Sequence, residues 1–378
     1  MLVVLVVLGA LAWFGRSGRG GAKDAPIASR VSTKKTTVLV GANLPLSGPM
    51  SYYGQEVQRG LTLAFDGEAE IRPVYEDNHS VARDAVTVFQ MFASRGTPIV
   101  ISSNSPLSAP QRALAQESRI VLLALVTGAE DFADGNPWVF RDAITQTAEA
   151  PPLADYAWDA LGARKMVSLV VNDDYGLGGS RAFKRQFETR GGTVVAEETF
   201  ETANTDLRAQ LTKLKTARPD AIYIAGRQQN LIAAIVQARE LAVAPQILTG
   251  DSFDSPSVIE GVGAAGQGVV FSSYDIDLSA TEEARQFEER FLKRFGSEPG
   301  VYAVDAYAAG RYLLDIFRRV GPDAGRIREE MSKLKTTSIK GPLEVTKDHD
   351  ILPPIGIFKL GNGEKVRLMG TEKLRAAA

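Results

Sequence analysis

The chain contains no cysteine. That absence excludes disulfides, cysteine nucleophiles, thiolate metal sites and a lipid-modified cysteine anchor. Histidine is almost as scarce: only His79 and His349 occur, far apart and each flanked by charge. Both read as surface residues rather than metal ligands or catalytic bases, so neither a metal nor another cofactor is expected. Charge of one sign is lacking as well. Lys and Arg total 43 against 45 Asp and Glu, a formal net charge of −2 with no basic stripe. A nucleic-acid partner is therefore not expected. What remains is a globular composition, 44% hydrophobic and 23% charged over 378 residues. That length suffices for two domains, each with its own core.

Leu2 to Phe14 is nearly all apolar and runs into a Gly/Arg/Ser-rich stretch. Its helical reach is about 20 Å, short of the roughly 30 Å hydrocarbon core, so it does not read as a spanning helix. Ala10-Leu11-Ala12 resembles a signal-peptide cleavage site, yet no Lys or Arg precedes the apolar run. Two readings stay open: a start codon assigned too far downstream, or a weakly cleaved or uncleaved anchor. Both point to export, to a periplasmic or extracytoplasmic location, with the segment as a route to membrane association. Residues 1–35 are thus a signal-like or anchor segment and linker.

From Val38 onward short apolar runs alternate with helical patterns. Strands are predicted at Val38–Leu44, Ile71–Glu76, Pro98–Ser102, Ile120–Leu125, Lys165–Val171, Thr193–Phe200, Ala221–Ala225, Gln246–Thr249 and Val269–Ser272. Helices fall between them; Phe287, Phe291 and Phe295 recur at i, i+4 on one. This alternation predicts an α/β fold of doubly wound parallel sheets with helices on both faces. Pro151-Pro152 suggests a boundary between two halves.

Strand ends carry the chemistry. Val38 to Leu44 breaks into Pro45-Leu46-Ser47-Gly48-Pro49, with a free hydroxyl, and then Tyr52 and Tyr53. Open parallel sheets bind ligands at such carboxyl ends. Ser102-Ser103-Asn104-Ser105-Pro106 precedes a helix, so Ser105 is either an anion-binding hydroxyl or an ordinary cap. Asn172-Asp173-Asp174-Tyr175-Gly176-Leu177-Gly178-Gly179 also opens a helix, but its glycine spacing fails the dinucleotide fingerprint. Arg227 follows the strand at Ala221–Ala225. Facing a cleft it would favour an anionic group on a ligand; otherwise it is outward and solvated. Asp251 ends the next strand, as a ligand contact or as a cap. Tyr302 stands near the start of a long helix.

Taken in order, these motifs resemble the type I periplasmic solute-binding proteins, in particular the branch of ABC transporters that binds leucine, isoleucine and valine. The resemblance spans about residues 37–365. It implies a type I periplasmic binding protein fold, two lobes joined by a three-segment hinge. Residues 36–145 with 277–340 would form lobe 1, residues 146–276 with 341–365 lobe 2, and 366–378 a C-terminal tail. Gly341–Val345 and Ile355–Lys359 would be the two strands of a final hairpin. The resemblance also implies the site: Ser105 on the α-carboxylate, the turn at Val126 and Thr127 gripping the ligand, Tyr175 closing from the second lobe, Asp251 on the α-ammonium, and Tyr53 and Tyr302 bordering the ligand. The family's proline in the fourth turn is Leu125 here, and Arg227 stands near a position often aromatic.

The function expected is that of a monomeric extracytoplasmic component that binds an amino acid or similar small carboxylate and delivers it to ABC permease subunits. No catalysis is expected. The alternative on the same fold is a ligand-sensing or envelope-assembly partner protein. An enzyme on a doubly wound fold is the third class; it would need a nucleotide fingerprint, a catalytic histidine or a metal cluster that the sequence does not offer.

Overall fold

The computed structural model describes residues 37–370. The N-terminal apolar run, the linker and the last eight residues lie outside the described residues. Fifteen strands follow in chain order. They are β1 Val38–Leu44, β2 Ile71–Asp77, β3 Ile99–Ser103, β4 Val121–Leu125, β5 Val139–Asp142, β6 Lys165–Val171, β7 Thr193–Phe200 and β8 Ala221–Ala225. The rest are β9 Gln246–Thr249, β10 Val270–Tyr274, β11 Lys335–Ser338, β12 Gly341–Glu344, β13 Asp350–Ile351, β14 Ile355–Gly361 and β15 Glu364–Met369.

Two large sheets result. The first has the order β13-β5-β4-β3-β1-β2 and is parallel throughout. The second has the order β15-β14-β10-β9-β8-β6-β7, parallel from β7 to β10 and antiparallel from β10 to β15. Strands β3, β4, β6 and β8 are apolar runs buried at nearly every position because helices cover both faces. Each sheet reverses its strand order once, between β1 and β3 in the first and between β6 and β8 in the second. Those reversals open crevices at the strands' carboxyl ends, and both sets of ends converge on one cleft.

The chain changes sheets after β5, after β10 and between β13 and β14. The last change falls later than expected. Residues 341–351 were expected in the second lobe, but Leu343 and Ile351 are buried in the first lobe's core. The expected hairpin of Gly341–Val345 with Ile355–Lys359 does not form either. Strand β12 folds back on β11 across a two-residue loop, Ser338 facing Gly341, which holds φ at +94°. Strand β14 pairs with β10 and β15. Residues 366–369, expected in a tail, belong to β15. Pro151 and Pro152 lie inside the helix Gln146–Asp159 and mark no boundary.

The helices Ser51–Ala64 and Val301–Val320 pack closely across the first lobe. Gly60 permits it: a Cβ there would stand 2.2 Å from the Ala303 carbonyl oxygen. That crossing sets Tyr53 and Tyr302 side by side, ring centroids 5.3 Å apart. Among the described residues no helix is long and apolar enough to cross a membrane.

Candidate functional site

A small cavity, about 10 Å³, lies where the strand ends of the two sheets face each other. Six residues singled out in the sequence line it: Tyr53, Val126, Tyr175, Arg227, Asp251 and Tyr302. Ser105 and Thr127 do not. The Ser105 hydroxyl accepts the Ala129 N–H at 3.2 Å, and the Thr127 hydroxyl donates to the Leu125 carbonyl at 2.9 Å. Both side chains brace the turn after β4 from behind. The Ser47 hydroxyl, read as free, donates to Asp77 Oδ2 at 2.6 Å. Asp77 also takes the N–H groups of Leu46, Ser47 and His79, so it ties down the first turn rather than a ligand.

Each lining side chain is placed by local structure. Asp173 caps the helix Asp174–Thr189 through the Gly176 N–H, at 3.0 Å, so Tyr175 emerges in the first turn. Gly176 lets that turn press onto β6, where a Cβ would meet the Val171 carbonyl oxygen at 2.1 Å. Arg227 precedes the helix Gln228–Glu240, its N–H donating to Asn230 Oδ1 at 2.6 Å. Asp251 opens a single turn, Asp251–Phe253. Val126 has φ +51°, a strained conformation for a β-branched residue and one that sits at functional sites more often than elsewhere.

Asp251 is the electrostatic centre. Tyr302 donates to its Oδ2 at 3.3 Å and Tyr175 lies 3.4 Å from Oδ1. Burial raises its pKa to about 6 against the lowering effect of these two tyrosine hydroxyls, with the nearby Asp254 charge raising it further. Behind it stands Glu149, which sequence reasoning missed. Glu149 accepts the Asp251 N–H at 3.0 Å, the Ser272 hydroxyl at 3.0 Å and the Gln146 amide at 3.0 Å. Burial first, and the Asp251 charge second, push its carboxyl well above the usual range. Nothing around Ala150-Pro151 signals a buried acid; Glu149 is reached from Gly250, where a Cβ would stand 2.9 Å from its Oε1.

Arg227 is neither outward nor free. Its Nε and Nη2 both donate to Asp173 Oδ2, at 3.1 and 2.7 Å, and its guanidinium carbon lies 5.0 Å from the Tyr175 ring centre. Across the cleft, the Tyr53 hydroxyl accepts the Gln228 N–H at 3.3 Å. This bond and the Tyr302–Asp251 bond join the lobes through tyrosines of the first lobe.

His79 is exposed beside Asp77 and Asp84, and the His349 ring stacks on Phe140 at 4.5 Å. Neither reaches the cavity, and among the described residues no cluster could hold a metal ion.

Comparison with known proteins agrees with this architecture. The profile of the family described as "Periplasmic binding protein" matches residues 37–365. The chain is 23% identical to the Leu/Ile/Val-binding protein homolog 2 of Brucella abortus, over 88% of this chain and 92% of that protein. The leucine-binding protein LivK of Thermotoga maritima superposes with a TM-score of 0.83 at 25% identity, covering 89% of this chain and 99% of that one. A solute-binding protein of Rhodopseudomonas palustris, solved with benzoate, gives 0.81 at 22% identity, covering 89% and 96%. With two doubly wound lobes, three crossings and a profile match along nearly all of its described length, the chain belongs to the periplasmic binding protein family and has the type I fold of its Leu/Ile/Val-binding members.

Proposed function

We propose that the protein is the extracytoplasmic binding component of an ABC-type transporter and that it takes an amino acid between its lobes. The observation that carries this reading is Asp251. It is a buried acid beside a second buried acid, and among the described residues no Lys or Arg nitrogen lies within 4.0 Å of either. An unpaired buried charge is costly, and a cation from solution would compensate it. An α-ammonium fits, framed by the hydroxyls of Tyr175 and Tyr302.

The α-carboxylate is assigned to the turn after β4. No hydrogen bond of the Thr127 or Gly128 N–H is found among the described residues. The Ser105 oxygen fixes that turn through Ala129. Binding closes the lobes on the ligand, no bond is made or broken, and permease subunits receive the closed form.

A benzoate, the ligand of one structural relative, brings a carboxylate but no cation for Asp251. Calorimetric titration with amino acids and with benzoates separates the two. An amino acid is expected to bind and to be recovered unchanged. At 100 times its dissociation constant it stabilises the fold by about 2.7 kcal/mol. Benzoates binding where every amino acid fails would overturn the reading.

A further inference from the structure

Arg227 and Asp173 leave the ligand site an ion pair already made. Asp173 follows β6 and Arg227 follows β8, and these strands are hydrogen-bonded neighbours, Val170 facing Ala225. Both residues belong to the same lobe, so their contact does not depend on closure. Their division of labour is complete. Asp173 Oδ1 caps the helix through the Gly176 N–H, while Oδ2 takes two guanidinium donors. The Arg227 side chain is 7% exposed and that of Asp173 17%.

We propose that Asp173 is a specificity-determining residue: by spending the Arg227 charge within the lobe wall, it makes the site reject a ligand side chain that carries a carboxylate. This rests on the reading of the cleft as an amino-acid site. Without Asp173, Arg227 would be a buried cation on the cavity wall and the natural partner of an anionic side chain. With Asp173 in place, a second carboxylate at that fork would approach the first, and like charges close together in a poorly solvated cleft repel strongly. What the pair presents to a ligand is a neutral plate, with the guanidinium lying over Tyr175. Glutamine and glutamate have nearly the same shape and differ in this charge, so their affinity ratio reads the effect directly.

The test is calorimetric titration of the full chain with leucine, glutamine and glutamate. Asp173→Asn keeps a capping oxygen for Gly176 and removes the charge. The wild type is expected to disfavour glutamate relative to glutamine by at least about tenfold. Asp173→Asn should move that ratio toward glutamate by about tenfold or more. The double variant Asp173→Asn/Arg227→Gln, which carries neither charge, should lose the gain. Arg227→Gln alone leaves Asp173 unpaired and should shift preference toward lysine over leucine. An unchanged ratio in Asp173→Asn, or a gain that survives in the double variant, overturns the inference. If the wild type binds benzoates and no amino acid, the amino-acid reading fails by itself. The ratio of benzoate to benzene-1,4-dicarboxylate in the same variants then decides the role of Asp173.

Discussion

Two groups of buried acids sit in this molecule, and they are built differently. In the first lobe Asp142 and Asp305 both bond the Lys340 ammonium, at 2.6 Å in the case of Asp142, and every one of the three side chains is fully buried. The Tyr312 hydroxyl adds a bond to Asp142 at 3.2 Å. At the cleft, Glu149 and Asp251 are also buried, but among the described residues the groups that hydrogen-bond them are neutral: two tyrosines, Ser272, the Gln146 amide and a backbone N–H. The first group is balanced by the chain itself and holds structure together. The second has no Lys or Arg partner among the described residues, and on the function proposed above a cation from solution supplies one.

The comparison breaks most visibly at Lys340. Lys340→Met leaves two acids buried without a counter-charge and should lower stability by about 3 to 5 kcal/mol. Urea unfolding measures it, and a loss under about 1 kcal/mol would mean that Lys340 balances nothing. Asp251→Asn should act the other way. Amino-acid affinity falls by about 2 to 5 kcal/mol, while the ligand-free protein keeps or gains stability because an uncompensated buried acid is gone. Calorimetry and urea unfolding on one preparation give both signs, and a loss of stability without a loss of affinity would make Asp251 structural.

Acidity sharpens the contrast. Asp251 must be ionised to meet an ammonium, and its pKa is held at about 6. Amino-acid affinity should therefore be level above pH 6 and fall about tenfold per unit below it. A profile level down to pH 4.5 would count against the ammonium contact. Asp305 is pushed up to about 8 by burial and the Asp142 charge, against the pull of Lys340. The folded state then keeps a proton that the unfolded state releases near pH 4. Stability from this group is fully present at low pH, declines as pH rises, and levels off past about 8. Asp305→Asn should flatten that decline, whose slope is at most about 1.4 kcal/mol per unit; thermal melts from pH 5 to 9 would show it. The smallest effect is expected at Ser105. Ser105→Ala removes the brace on Ala129 and should cost about 1 kcal/mol in affinity, whereas a purely structural cap would lower the melting temperature and leave affinity alone.

Much of this was legible in advance because parallel strands buried on both faces are continuous apolar runs. All nine predicted strands occur, several with the same limits. Strand β5 was missed because Val-Phe-Arg-Asp is too short and half charged. Strand β13 has two residues, and β15 is a half-exposed edge whose pairing is decided by β14. Strand ends pointed to the cleft because ligands gather where a sheet reverses its order. What sequence could not supply was the state of each charge. Arg227 and Asp173 are 54 residues apart and Glu149 and Asp251 are 102; only the fold shows that the first two cancel and the second two do not.

The lysine that balances the first lobe has a consequence for the order in which the chain is made. Lys340 lies 198 residues beyond Asp142, and β13, which completes the same sheet, comes later still. A ribosome finishes most of both lobes before the first can be neutral inside or closed at its edge. Until then the first lobe carries two acids with no counter-charge, and its native contacts wait on distant sequence. The first lobe can close only when nearly all of the chain is synthesised. For a family that works outside the cytoplasm, a lobe that closes last is one that resists export least.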